Sequence, residues 1–323
     1  MRALVTGATG MVGSWLTRRL VEDGHYVVAL ILDADPQSEL LRSGTLNRTS
    51  VVNGALEDFS AVERAITAHE IDTVFHLGAQ TIVSTAHRAP LATLETNIRG
   101  TWNVLEVCRL HQDLVKRTVI ASSDKAYGEQ SVLPYTEETA LNGRQPYEVS
   151  KSCADLISRS YAETYGLAIG IARCGNIYGG GDLNWSRIVP GTIRALLHRE
   201  QPVLRSDGTF LRDYLHVDDV VDAYLALADG LENSEFYGAG FNFSNEQPLT
   251  VRAIYDAVCV AAGADGTEPI VLNSAVGEIH DQYLSAKRAR RDLAWIPKID
   301  LAAGLERTVA WYADLFDSTT EVA

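Results

Sequence analysis

Positive charge is scarce in this 323-residue chain: 28 Lys and Arg stand against 42 Asp and Glu, a formal charge of −14 at pH 7. That balance argues against nucleic acid as a partner, yet leaves room for a local basic pocket around a small diphosphate. Cysteine is scarce too. Cys108, Cys153, Cys174 and Cys259 are scattered without metal or redox spacing, so buried thiols are expected, with no metal centre. No apolar run approaches the ~20 residues that a membrane-spanning helix needs, so no membrane association is expected. Met1 opens directly into an apolar strand with no charged-then-apolar leader, which makes a cytoplasmic location the expectation. Repeats, low-complexity tracts and Pro/Ser-rich linkers are also missing. With 46% apolar residues, the chain can bury a large core as one large domain or two smaller ones sharing an interface.

What is present begins at once. Residues 1–13 read MRALVTGATGMVG, an apolar strand running into a Gly-x-x-Gly-x-x-Gly turn at Gly7, Gly10 and Gly13. Trp15, Leu16, Leu20 and Val21 follow with helical spacing. Glycine lets backbone approach a pyrophosphate closely, and the helix that follows aims free N–H groups and its positive dipole end at the phosphates. Strand, glycine turn and helix together predict a dinucleotide site.

Short apolar strands then alternate with helical patterns: His25–Leu32, Ser50–Asn53, Asp72–Leu77, Arg117–Ser122 and Leu167–Arg173. This predicts an α/β fold, a Rossmann-type doubly wound parallel sheet over residues 1–174. Past Asn176 the pattern changes to Gly179-Gly180-Gly181, several prolines and helical segments Val217–Ala228, Val251–Ala262, Ala286–Leu293 and Leu301–Leu315. Residues 175–323 are expected to form a smaller α/β substrate-binding domain, with part of 215–244 returning to the first. A cleft between the two would lie above the strand C-termini.

Three clusters carry candidate chemistry. Ser122-Ser123-Asp124-Lys125 stands where a buried strand ends, the position from which side chains of an open α/β sheet meet a ligand. Tyr147 and Lys151, at i and i+4, share one helical face, so an ammonium can stand beside a phenol and stabilise its phenolate. The third cluster sets Arg173, Asn176, Arg187, Arg205 and Arg212 among glycines, and spaced arginines suit bidentate contact with phosphate oxygens.

The joint order of these motifs resembles the extended short-chain dehydrogenase/reductase superfamily, specifically its nucleotide-sugar epimerases and dehydratases, over nearly the whole chain. Gly7/Gly10/Gly13, His76-Leu77-Gly78-Ala79, Asn97, Ser123, Tyr147, Lys151 and Asn176 carry the resemblance. The segments 122–127, 146–155 and 175–182, with Arg187-Ile188-Val189-Pro190, are most similar to CDP-glucose 4,6-dehydratases.

The resemblance implies an NAD site built from Gly7, Thr9, Gly10, Met11, Val12 and Gly13, with Leu77, Gly78, Ala79, Asn97, Tyr147 and Lys151. Asp33 is the candidate acid for the adenosine ribose, and no arginine directly follows to receive a 2′-phosphate, which favours NAD over NADP. Ala55 stands where relatives often have Asp, so adenine recognition is expected to fall to Leu56 and neighbouring acids such as Glu57. Gln80, Ser123, Asn176, Arg187, Val189, Arg205, Arg212 and His280 are the substrate candidates, a CDP-hexose being favoured. Gln282 occupies a position where relatives often have arginine.

The implied mechanism is redox-neutral. Tyr147, aided by Lys151 and Ser123, removes the 4-hydroxyl proton while NAD takes hydride from C4; Asp124 protonates the departing 6-hydroxyl; hydride then returns to C6. Many dehydratases carry Glu after that Asp, and Lys125 stands here instead, so either Lys125 or another group takes the C5 proton. A 4-epimerase or decarboxylase would share the oxidation step without needing Asp124, and a non-catalytic NAD-binding regulator is the remaining class. A homodimer is also implied, through helices within Leu91–Leu110 and Tyr147–Tyr165, with Trp102, Val104, Leu105, Leu156, Ile157 and Tyr161 offering apolar surface.

Overall fold

Valine, isoleucine and leucine dominate the first strands because both faces of a parallel sheet are covered, so these strands have no polar side. In the computed structural model, which describes residues 1–274 and 278–320, β1 is Arg2–Thr6, β2 Tyr26–Ile31, β3 Ser50–Asn53, β4 Thr73–His76, β5 Arg117–Ala121 and β6 Ile169–Cys174. A seventh strand, Gly240–Phe243, completes a parallel sheet of order Gly240–Phe243, β6, β5, β4, β1, β2, β3. The order reverses between β1 and β4, which opens a crevice above their C-terminal ends. The sequence patterns did not mark Gly240–Phe243 as a strand, since four residues with Gly and Asn among them give little strand signal.

Side chains alternate between the two faces. Val5, Val119 and Ala172 join Leu16 and Leu20 of the Met11–Glu22 helix in one core, to which the Val217–Gly230 helix adds Val220, Ala223, Tyr224 and Leu227. On the other face Ile120, Ile169 and Ile171 meet Leu105 and Ala162, from the Gly100–Leu110 and Pro146–Tyr165 helices. The Val217–Gly230 helix therefore covers the large sheet and lies in its core, although its sequence lies beyond Asn176.

A separate core holds the smaller part together. Helices Ile188–Leu197, Val251–Ala261 and Leu301–Thr320 enclose Ile193, Tyr214, Ile254, Val258 and Tyr312. Leu211–Arg212 pairs with both Leu249–Thr250 and Asp281–Gln282, forming a small sheet that faces the 124–127 turn through contacts of Gln282. Val104 and Leu105 do not offer surface to a partner: both are fully buried under the sheet, while Trp102 and Leu156 remain 43% and 51% exposed. Val104 packs with Val28 and Val74 and Leu105 with Ile120 and Ile171, so both are taken up by the core of their own subunit, which corrects the sequence expectation. Among the described residues no helix is long and apolar enough to cross a membrane.

Candidate active site

The glycine turn closes on the end of β4. Gly7 adopts φ +69°, and a Cβ there would fall 2.7 Å from the Gly78 nitrogen; one on Gly13 would fall 2.0 Å from the Gly7 oxygen. Only glycine allows this approach. Gly10 then starts the Met11–Glu22 helix with no side-chain cap, leaving the first helical N–H groups open toward the crevice. A cradle without Cβ atoms beneath uncapped amides fits a dinucleotide pyrophosphate. Met11 and Val12 are half-buried in the first turn of that helix. Thr9 Oγ1 donates to the Asp33 carbonyl at 3.3 Å, so the exposed Asp33 is held beside the turn.

The neighbouring segments are tied just as closely. Leu56 fills the space above Gly78 and Gly100, and its carbonyl accepts from Asn103 Nδ2 at 2.9 Å. The Glu57 carboxylate accepts from the Thr96 hydroxyl. Thr6 Oγ1 accepts from the Leu77 and Gly78 amides at 3.1 and 3.0 Å and contacts His76 Nδ1 at 2.8 Å; Ala79 follows, half-buried. Thr101 Oγ1 donates to the Asn97 carbonyl at 2.6 Å and lies 3.1 Å from His76 Nε2. These partners fix the tautomer: Nε2 carries the proton, and Nδ1 accepts from Thr6. Burial, with the Lys151 charge adding to it, draws the His76 pKa down to about 3, so the ring stays neutral.

Asn97 is 2% exposed and acts as a strut, its Oδ1 accepting from the Gln80 amide at 2.7 Å. Its Nδ2 donates to the Gln80 carbonyl at 3.0 Å and to Ser150 Oγ at 2.9 Å. The helix widens by one residue per turn at Glu95–Arg99, where Asn97 sits.

Ser123, Asp124, Lys125, Tyr147 and Lys151 converge at the mouth of β5. Ser123 Oγ donates to Asp124 Oδ1 at 2.9 Å and accepts from the Lys125 amide at 3.2 Å. Asp124 is 2% exposed, and its Oδ2 has no hydrogen-bond partner. Burial pushes the Tyr147 phenol up to about 12; the Arg187 guanidinium opposes this, Asp124 adds to it, and the Ser123 hydroxyl opposes it. The cation that favours the phenolate is thus Arg187, from the smaller part of the molecule. Lys151 Nζ donates to the Ala121 carbonyl at 2.7 Å, and burial draws it down to about 8. Burial also lowers the Lys125 pKa.

The substrate candidates separate into distinct environments. Asn176 opens the short strand Asn176–Tyr178 beyond β6, its main-chain N–H donating to the Asp213 carbonyl at 3.2 Å. Arg187 pairs with Asp182 at 3.0 Å at the head of the Ile188–Leu197 helix. Val189 is buried in the smaller core among Tyr178 and Ile193. Arg212 is buried, donating to the His280 carbonyl at 2.7 Å and to the Ile279 carbonyl. His280 is exposed, 2.7 Å from Asp281 with its ring tilted against Phe210, and Arg205 is exposed.

Arg173 is corrected. It is 1% exposed and donates twice to Asp155, at 2.8 Å each, and to Tyr127 Oη at 2.8 Å, so no phosphate reaches it. A buried guanidinium requires such a partner, and the helix supplies Asp155. Asp213, which carried no expectation, is a buried carboxyl against Gly175, pushed up to about 7 by burial with Asp124 adding to it. The Arg-Asp-Tyr run around it gave no sign of that environment.

Comparison with known proteins settles the grouping. A model of the NAD dependent epimerase/dehydratase family matches residues 3–240. The chain belongs to that family. A CDP-glucose 4,6-dehydratase of Salmonella typhimurium is 30% identical over 96% of this chain and 90% of its own length. Among solved structures, DesIV, a dTDP-glucose 4,6-dehydratase of Streptomyces venezuelae with NAD and TYD bound, aligns with TM-score 0.87 and 27% identity over 97% of each chain. A UDP-glucose 4-epimerase of Thermotoga maritima with UDP-glucose aligns with TM-score 0.87 and 28% identity over 98% of this chain and 100% of that one. The chain thus shares the extended Rossmann-type fold of both activities, and its family is NAD dependent.

Proposed function

We propose that this protein is a nucleotide-sugar 4,6-dehydratase that converts CDP-glucose to the CDP-linked 4-keto-6-deoxy sugar. One observation carries the proposal: Asp124, beside Ser123 and within electrostatic reach of Tyr147, keeps one buried carboxyl oxygen without a partner. A 4-epimerase has no use for an acid there, whereas elimination needs a donor for the leaving hydroxyl.

The 1–174 part, with the strand Gly240–Phe243, would hold NAD over Gly7, Gly10 and Gly13, and the remainder would bind the nucleotide sugar. NAD held there would supply the redox chemistry, a reversible hydride transfer between the sugar and the nicotinamide. Tyr147 would take the 4-hydroxyl proton as its phenolate, the form that Arg187 and the Ser123 hydroxyl favour against the burial that holds the phenol up to about 12. The C4 ketone acidifies C5–H. Lys125, moved by burial toward its neutral amine, takes the C5 proton; Asp124 gives a proton to the 6-oxygen, the C6–O bond breaks and water leaves. The Lys125 ammonium then reprotonates C5.

Asn176, Arg187, Arg205 and His280 would form the proposed sugar-nucleotide side, with Arg212, held by the His280 carbonyl, and Val189, in the smaller core, buried behind it. Two chains would pair through Trp102 and Leu156, which are exposed on their helices, as are Leu110 and Tyr165 near the helix ends. Mass spectrometry of products from CDP-, dTDP-, GDP- and UDP-hexoses tests the proposal. Loss of water from CDP-glucose, with little from the others, is expected. Conversion of UDP-glucose to UDP-galactose without change of mass would make the protein an epimerase.

A further inference from the structure

Gln282 is a buried side chain that the reaction scheme leaves unused. It has no exposed surface, and both ends of its amide are engaged. Nε2 donates to the Asp124 carbonyl at 2.9 Å, and Oε1 accepts from Lys125 Nζ. Its two partners are the main chain of the acidic residue and the amine of the proposed elimination, and they come from the opposite part of the molecule.

The segment that carries Gln282 is itself held on several sides. Asp281–Gln282 pairs in parallel with Leu211–Arg212. Arg212 donates to the His280 and Ile279 carbonyls just before it. Beyond it, the Tyr283 carbonyl accepts from the Tyr135 amide at 2.9 Å, and the Leu284 amide donates to Asp213 Oδ2 at 3.2 Å. The amide of Gln282 is therefore placed by a fixed strand.

Charge decides which kind of group can stand at 282. Burial disfavours the Lys125 ammonium most; Asp124, Glu148 and Glu278 favour it, and Arg212 disfavours it. A cation at 282 would repel Lys125, and a carboxylate would hold it protonated. A neutral amide fixes the nitrogen while adding no net charge.

We propose that Gln282 is the positioning residue of the elimination step, holding Lys125 Nζ and the Asp124 main chain in one arrangement. Through it, assembly of the substrate-side strand also assembles the proton-transfer pair. This rests on the dehydratase reading of the same site.

The test uses the full-length protein with its bound NAD and CDP-glucose. Gln282→Leu removes both hydrogen bonds at similar volume; Gln282→Glu keeps an acceptor for Lys125 and adds charge. Four quantities are read: the melting temperature, the absorbance of reduced nicotinamide on mixing, deuterium entry at C5 from D₂O, and the pH dependence of water loss. For Gln282→Leu, the melt and the absorbance rise should persist while deuterium entry and water loss slow by about 10²-fold, the usual penalty for a misplaced reacting group. For Gln282→Glu, the limb of the pH profile that reports Lys125 should move upward, because a carboxylate stabilises its ammonium. If Gln282→Leu does not fold, the Gln282→Glu profile alone carries the test. Near-normal water loss in both variants, or an equal fall of oxidation and elimination with an unmoved profile, overturns the proposal. A wild-type protein that epimerises and never loses water overturns the dehydratase reading and this inference with it; normal variants of a dehydrating wild type overturn this inference alone.

Discussion

Asp124 and Tyr147 lie within electrostatic reach of one another, yet the proposed chemistry gives them separable steps. Asp124→Asn should slow water loss by ~10²–10⁴-fold, the range for losing a positioned acid, and let reduced nicotinamide absorbance accumulate. Tyr147→Phe should give no such absorbance on mixing. Stopped-flow spectroscopy together with product analysis checks both, and near-normal dehydration by a folded Asp124→Asn protein would remove Asp124 as the donor. His76 carries a stability prediction. Its ring is held neutral to about pH 3, while an unfolded histidine binds a proton near pH 6.5. The unfolded state therefore takes up more protons in that window. Stability is fully present above pH 6.5 and falls with acidification, at up to about 1.4 kcal/mol per pH unit from this group. Denaturant melts from pH 7 to 5 should show a steeper loss for the wild type than for His76→Gln, which cannot titrate.

The helix Pro146–Tyr165 shows how one element places its chemistry. Pro146 occupies the first helical position, and a capping box joins Gln145 to Glu148. Glu148 Oε2 accepts from the Arg144 and Gln145 amides at 2.9 and 3.2 Å. Tyr147 lies within that first turn, so fraying of the helix start would displace the phenol from Ser123. Glu148→Ala should cost about 0.5–2 kcal/mol in thermal unfolding, the range for a lost cap, and should lower turnover as well. Glu148→Gln, which can still accept these bonds, should recover most of the stability. Equal stability in both variants would mean that the cap does not hold this helix start. The same helix is anchored at its middle by the bidentate Asp155–Arg173 pair, which also reaches Tyr127 just behind the Asp124 turn. Asp155→Ala would leave a buried guanidinium uncompensated, a loss of about 3–5 kcal/mol by equilibrium unfolding.

For the whole molecule, the dimer proposed through the exposed Trp102 and Leu156 is open to a direct test. Trp102→Asp should convert the proposed dimer to a monomer in light scattering at micromolar concentration, while leaving the melt of the subunit core largely unchanged. A wild-type monomer under those conditions would remove the dimer.

Much of this architecture is written in the sequence because local geometry requires particular residues. Gly7 and Gly13 are legible, since no Cβ fits where the turn closes on Gly78 and on itself. The strands β1, β4, β5 and β6 are legible because sheets covered on both faces need continuous apolar runs. The order of Ser123, Tyr147 and Lys151 along the chain suggests a set, although the cation that acts on Tyr147 is Arg187 and Lys151 donates to the Ala121 carbonyl. What a charge meets is not legible. Arg173 resembles a phosphate ligand until the fold brings Asp155 and Tyr127 to it, and Arg187 becomes the cation nearest in effect to Tyr147 only when the smaller part closes over the sheet. Val104 and Leu105 look like interface until the sheet covers them. Lys125 acquires Gln282 from a strand more than 150 residues away. Close backbone approach and continuous apolar runs are properties of neighbouring residues, so the sequence alone determined the cofactor turn and β1 to β6 of the sheet, and the fold added Gly240–Phe243. Burial and charge pairing are decided between distant segments, so only the tertiary structure determined that Asp124 keeps a buried oxygen without a partner and that Lys125 meets Gln282.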